Sequence, residues 1–248
     1  MAIDINKITT DITLEIDEES MSISDYQKAS DSFLDLVKEI TKNIGQHKAS
    51  EAWEVRVYSG SVGVGVIPYN GFKDGYRVQG IINQGLEMLS KGLKPLEFTD
   101  KAIEHAKGLA LSFKSSVAPK IRVWSGKEKS VSIVREIAKT ADQLLSPSHE
   151  AESSVEGRLE TLTTHNGSKF VVYDVIDNRS VSCEIPIEYL DIAHRNFNKR
   201  VEVIGVVKFR KDGMPVSVKA SKIIPFPNSE EIPSLERMRW LLNGGAIA

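Results

Sequence analysis

The chain has one cysteine, Cys183. No internal disulfide can form, so the fold must rest on packing and hydrogen bonding. Cys183 falls in mid-strand sequence and reads as a small buried hydrophobe. No apolar run approaches the length of a membrane span. The opening twenty residues are acidic and lack the basic-then-apolar layout of a signal peptide. These absences predict a cytoplasmic protein with no membrane partner. A strong charge of either sign is also missing: 32 Lys and Arg stand against 34 Asp and Glu, for a net charge of −2. That argues against a protein whose main task is coating nucleic acid, which usually shows a strong basic excess. A local basic patch remains compatible with it.

Catalytic and metal-binding motifs are missing too. There is no HExxH, CxxC, GxSxG or Gly-Lys-Ser/Thr. Gly60, Gly63 and Gly65 mimic a nucleotide fingerprint, but they lie in a valine alternation that ends at Pro68 and opens no helix. They read as a tight hairpin whose second strand has a bare face, open to a backbone, a helix or a ligand. Asp17, Glu18 and Glu19 lack the spacing and the glycine of a calcium loop and read as a solvated turn. His105 has no second ligand at metal spacing. Cys183 with His194 is a conceivable dyad, set aside because a mid-strand cysteine beside a helix is more often filler. The expectation is a non-enzymatic protein with no catalytic residues, no metal and no cofactor.

What is present is an architecture. At 248 residues and 41% apolar content, two domains are expected. Residues 1–145 read as α+β, an antiparallel sheet with helices. Strands are expected at Thr13–Ile16, Met21–Ile23, Ala52–Tyr58, Val62–Ile67, Lys120–Trp124 and Ser130–Ile133. A capping box, Ser24 to Gln27, opens a helix to about Ile44 with Tyr26, Ala29, Phe33, Leu36, Val37 and Ile40 on one stripe. Further helices are expected over Asp74–Lys91, Thr99–Lys114 and Val134–Leu145. Glu54–Gly60 and Lys120–Gly126 echo each other as strand, aromatic, Ser-Gly, which predicts two hairpins in one sheet. Residues 146–154 are polar and proline-bearing and read as a linker.

Residues 155–227 change character. Asn166-Gly167 and Asp212-Gly213 mark hairpins. The strands read as Val155–Thr163, Lys169–Ile176, Ser180–Ile185, Arg200–Phe209 and Pro215–Ile224, with a helix over Ile187–Phe197. Gly205 suits a bend or bulge. The order strand-strand-strand-helix-strand-strand predicts a C-terminal five-stranded OB-like β-barrel. Such a fold binds ligands with the face of its second and third strands and with two loops. His165, Lys169, Phe170, Tyr173 and Arg179 would serve the first region, and Lys208, Arg210 and Lys211 the second loop. Basic groups neutralise phosphates and aromatics stack on bases, so these eight form the candidate nucleic-acid site. Residues 228–248 form a tail with a short helix, Ser234–Leu242. Leu235, Met238, Trp240 and Leu241 are its candidate partner-binding residues. A helix this short is marginal alone, so it must dock, either on its own N-terminal domain or in the groove of a partner.

The stretches Glu156–Gly167, Phe170–Asp174, Arg179–Cys183 and Arg200–Gly205 resemble a group of poorly characterised bacterial two-domain proteins with a C-terminal OB-like barrel. Ile23–Tyr26, Trp53–Val55 and Ser59–Ser61 carry the resemblance into the N-terminal part. Such proteins are often encoded beside a PIN-domain nuclease or in mobile and defence loci. The resemblance implies an antitoxin-like or accessory role: binding a partner protein, a nuclease above all, with nucleic-acid contact through the barrel. Its alternative is a stand-alone single-stranded nucleic-acid-binding protein. The shared motifs are structural, so they assign no active residue.

Overall fold

The structure is a computed structural model that describes residues 8–17, 21–46, 48–58, 62–112, 120–127, 129–165, 167–176, 178–227 and 234–242. The chain divides into two compact units, Met1–Leu145 and Ser146–Ala248.

In the first unit, strand β1 (Ile12–Asp17) lies at the centre of a sheet. Around it lie β2 (Trp53–Tyr58), β3 (Val62–Pro68), β4 (Lys120–Ser125) and β5 (Lys129–Ser132), in the order β2-β3-β1-β4-β5. Every neighbouring pair is antiparallel. The two echoed segments, β2 and β4, each start a hairpin in this sheet, but β2 is an edge strand whereas β4 pairs with β1. Alternation sends Ile12, Leu14 and Ile16 to one face, where they are buried. Four helices supply the other half of that core: α1 (Ile23–Asn43), α2 (Gly75–Ser90), α3 (Asp100–Ala110) and α4 (Arg135–Leu145). Phe33, Leu36 and Ile40 of α1, Ile82 and Leu86 of α2, Ile103 and Leu109 of α3 and Ile137 of α4 all join it.

Local chemistry sets these boundaries. The N-cap of α1 is Ser22, whose Oγ accepts from the Asp25 N–H at 3.0 Å. The capping box expected at Ser24 is therefore corrected, as is the strand expected over Met21–Ile23. Both serines can cap, and the Ser22 Oγ is the one that meets a first-turn N–H. Thr99 caps α3 through the Ala102 N–H at 3.1 Å. Trp53 at the start of β2 donates from Nε1 to Thr41 Oγ1 at 2.9 Å and packs edge-on against Phe72, tying the edge strand to α1.

The second unit is built from β6 (His149–Thr163), β7 (Lys169–Tyr173), β8 (Ser180–Glu184), β9 (Arg200–Phe209) and β10 (Pro215–Pro225). A 3₁₀ turn, Ile187–Tyr189, and helix α5 (Leu190–Arg195) lie between β8 and β9. The element order leads one to an OB-like barrel; that assignment is corrected to what the pairing shows, a closed five-stranded barrel of mixed sheet. The strands form a ring-closed mixed sheet, in the order β10-β8-β7-β6-β9. One neighbouring pair, β8 with β10, is parallel, over Ser182–Glu184 and Ser217–Lys219 only. The first strand starts at His149, inside the expected linker, and its first half pairs with β9 alone. Element order does not determine pairing, and residues 149–154 are exposed on both faces, so they carry no apolar period to read.

Within the ring, β6 is held by β9 from His149 to Arg158 and by β7 from Arg158 to Thr163. A register shift between Leu159 and Thr161 follows the hand-over. Leu159, Phe170, Val172, Val181, Cys183, Val201, Val203 and Val207 fill the interior, and Ala193 of α5 packs against them. Two glycines let backbones approach. A Cβ at Gly157 would strike Tyr173 O, and one at Gly205 would strike Lys219 O.

Gly205→Ala is expected to lower stability by about 1–3 kcal/mol through overpacking against backbone. Gly80→Ala, on an exposed helical position with nothing near the new methyl, is expected to raise it by roughly 0.5–1 kcal/mol. Urea denaturation of the two variants reads both signs.

Candidate functional site

Of the eight residues expected to contact nucleic acid, Phe170 and Arg210 are buried, while Lys169 and Lys208 lie on one outer face. Lys208 is opposite Ser217, Ser217 is opposite Ser182, and Lys169 is opposite Glu184, on whose carboxyl both lysines act. The register fixes where they lie. Thr163 pairs with Lys169 at the C-terminal end of β6, so the β6–β7 loop with His165 is at that end. His149 pairs with Phe209 at the N-terminal end, so the β9–β10 hairpin with Arg210 and Lys211 is there. A fifteen-residue strand separates the two loops. Tyr173 and Arg179 belong with the hairpin. Tyr173 pairs with Ser180, and the parallel register of β8 with β10, continued by two residues, sets Ser180 beside Pro215.

The side chains sort further. Phe170 is fully buried in the ring and cannot stack on a base. It occupies the inward phase of β7, whose alternation buries Phe170 and Val172 and leaves Lys169, Val171 and Tyr173 half-exposed. Lys169 is paired with Glu184 at 2.9 Å. Lys169 foremost, through its hydrogen bond and its charge, holds the Glu184 carboxyl below its ordinary range; Lys208 and Lys219 add to this. Lys208 is paired with Glu150 at 3.3 Å. Arg210 is buried, with Nε 3.8 Å from Asp212 and its backbone N–H donating to Met214 O. It shapes the hairpin and is not a free cation. Gly213 adopts a φ of 80°, the left-handed conformation an Asp-Gly turn supplies. What remains exposed at this end is Arg179, Lys208 and Lys211, beside half-exposed Tyr173. His149 stacks on Phe209 there, with ring centroids 5.4 Å apart.

The tail helix, α6 (Leu235–Leu242), opens with Ser234, whose Oγ accepts from the Arg237 N–H at 3.3 Å. Trp240 is 46% exposed and Leu242 is 85% exposed. Met238 is half-buried. Leu235 and Leu241 lie on the helix, but their side chains fall outside the described residues.

The most constrained polar group of the first unit is one that sequence reasoning passed over. Glu15 on β1 is fully buried. Arg122 on β4 donates to both its oxygens, Nε to Oε2 at 2.9 Å and Nη2 to Oε1 at 3.1 Å, and Trp124 Nε1 donates to Oε2 at 2.6 Å. Arg122 also sits over the Trp124 ring. The register places Arg122 opposite Glu15, and Gly63 of β3 on the other side. The bare glycine face is taken by the chain itself: a Cβ at Gly65 would meet the Thr10 side chain. The signal that could have found this site was a lone acid between the apolar residues of a strand, on the phase away from the helices, opposite an arginine in an echoed strand.

Cys183 is fully buried, and its Sγ lies 3.7 Å from Val181 O. Burial pushes its thiol up to about 12. His194 is exposed on α5, so the two do not form a reactive pair. Asp17 ends β1, while Glu18 and Glu19 lie outside the described residues. Among the described residues no cluster of three metal-ligating side chains occurs, and no helix is long and apolar enough to cross a membrane. No protein-family model matches the chain, and no curated protein matches it.

Two outcomes follow. Arg122→Ala leaves a buried carboxylate without its cation and is expected to cost about 3–5 kcal/mol, which thermal and urea unfolding will register. Cys183 is expected to resist iodoacetamide at pH 8 in the folded protein and to react fully in denaturant, because a thiol this far above its ordinary value carries almost no thiolate. Mass spectrometry of the alkylated chain distinguishes the two states.

Proposed function

We propose that the protein is a non-enzymatic accessory protein that binds a partner protein through its tail helix. The observation that carries this reading is the exposure of Trp240 on an eight-residue helix. Such a helix is marginal by itself, and an exposed tryptophan is costly unless something covers it. Tryptophan is also the residue type most enriched at the centres of protein interfaces. Trp240, with Arg237 one turn before it, suits an apolar pocket with an acidic rim. The resemblance to bacterial proteins encoded beside PIN-domain nucleases names the class of partner, a nuclease, and the role, antitoxin-like or within a defence system.

A second reading has one observation in its favour. Tyr173, Arg179, Lys208 and Lys211 stand at one end of the ring, an aromatic beside three cations. In that reading single-stranded nucleic acid binds at the hairpin end. The acids Glu150 and Asp212 at the same end weaken it.

An affinity-tagged full chain, recovered from its native host, tests the first reading. The partner is expected with the wild type and depleted about tenfold or more with Trp240→Ala; equal recovery with both would remove the tail helix from the account. For the second reading, a gel shift with a single-stranded oligonucleotide compares wild type with the Lys208→Gln, Lys211→Gln double variant. Lost affinity, with a salt slope smaller by about 1–2, favours nucleic acid. Undiminished binding, or none, dismisses it.

A further inference from the structure

Strand β2 ends its sheet, and among the described residues it pairs only with β3. Among the described residues its outer edge is unpaired, and the strand is regular. No proline or register shift interrupts Trp53–Tyr58, although edge strands usually carry such breaks against unwanted pairing. The direction of its free hydrogen-bonding groups follows from one bond. The Tyr69 N–H donates to Ala52 O at 2.8 Å, and Ala52 continues the register opposite Tyr69. Even-numbered residues of β2 therefore bond to β3. Odd-numbered Trp53, Val55 and Val57 turn their N–H and C=O outward.

The side chains along this edge are arranged for a particular occupant. On the face that meets the helices, Val55 is 49% exposed and Val57 is 74% exposed. On the opposite face Glu54 and Arg56 alternate, 3.5 Å apart and both half in solvent. We propose that β2 is a self-association edge, where a second copy of this chain pairs antiparallel about a two-fold axis through Val55.

Charge selects that register. With the axis at Val55, Val55 faces the Val55 of the other copy, Trp53 faces Val57, and Glu54 faces Arg56 twice over. Val55 and Val57 then meet through the outward groups that the hydrogen-bond phase leaves free, and Glu54 and Arg56 form the closer, non-hydrogen-bonded pairs. Shifting the axis one residue either way sets Glu54 against Glu54 or Arg56 against Arg56, and like charges directly opposite are destabilising. The other open edges fit a second copy less well. Strand β5 has four residues, and its Lys129 is held by Glu87 at 3.1 Å. The half of β6 not paired with β7 carries Glu150, Glu152 and Glu156 on one phase, so pairing with itself would set acid against acid. A closed two-fold pairing joins the two sheets into one and leaves β5 at both ends. Six residues a side bury a small area, so the expected dimer is weak, with a dissociation constant in the micromolar range.

Sedimentation equilibrium of the full chain over about 1–300 µM tests this. The wild type is expected to dimerise reversibly. Arg56→Glu alone, or Glu54→Arg alone, sets like charges opposite each other twice and is expected to raise the dissociation constant about tenfold or more. The double variant Glu54→Arg, Arg56→Glu is expected to recover the wild-type value. Both positions are exposed, so the variants retain the fold, and circular dichroism checks this. In hydrogen exchange, the Val55 and Val57 amides are expected to be protected at high concentration and released on dilution. A monomer throughout the range overturns the proposal. So does a dimer indifferent to the single reversals, or a double variant no tighter than either single one.

Discussion

The second unit depends on one strand being shared. Strand β6 is held by β9 along its first two-thirds and by β7 along its last third, and the ring closes only because one continuous backbone serves both. The hand-over needs two things from the sequence. Gly157 presents no side chain where Tyr173 O passes, and the register shift before Thr161 bends the strand out of one ladder into the other. Gly205 does the same for β9 against β10, beside the shift between Ala220 and Lys222. Main-chain hydrogen bonds, not apolar burial, hold residues 149–154, whose side chains are exposed. The parallel contact of β8 with β10 is short and completes a ring that the other four ladders already shape.

That constraint decides what the ring offers a ligand. A long shared strand sets its two terminal loops fifteen residues apart along β6, while the ladders of β7, β8 and β10 bring Lys169 and Lys208 onto one outer face. Lysines that read as free phosphate contacts are tied to carboxylates on the neighbouring strand, Lys169 to Glu184 and Lys208 to Glu150. In the first unit the equivalent constraint is the Glu15 carboxylate, satisfied by Arg122 and Trp124 and holding β4 in register with β1. Its polar contacts are internal; among the described residues the tail helix and the outer edge of β2 are exposed.

Much of the element plan was legible because its signals are local. The buried stripe of α1, the Arg200–Phe209 strand and the Asp212-Gly213 turn each follow from a period or a turn residue. What was not legible is what depends on partners. His149–Ser154 has no period because neither face is covered, so it looked like a linker while forming half of the strand that matters most. Phe170 and Tyr173 have similar sequence surroundings, and only the phase of β7 separates a core residue from a surface one. Arg210 reads in the sequence as a loop cation for nucleic acid, yet in the hairpin it is buried. The closure of the ring also depends on partners: β6 with β9 and β8 with β10 pair across long stretches of chain, which element order does not state.

The continuity of β6 is best tested by amide exchange and cross-strand contacts at residues 149–157 in solution. Since the Leu159 N–H donates to Lys199 O, the odd-numbered amides face β9. The account predicts slow exchange at Ala151, Ser153 and Val155, with cross-strand nuclear Overhauser contacts from Ala151 to Val207 and from Ser153 to Gly205. Fast exchange along the whole segment, with no such contacts, would make it a linker after all and would open the ring between β6 and β9.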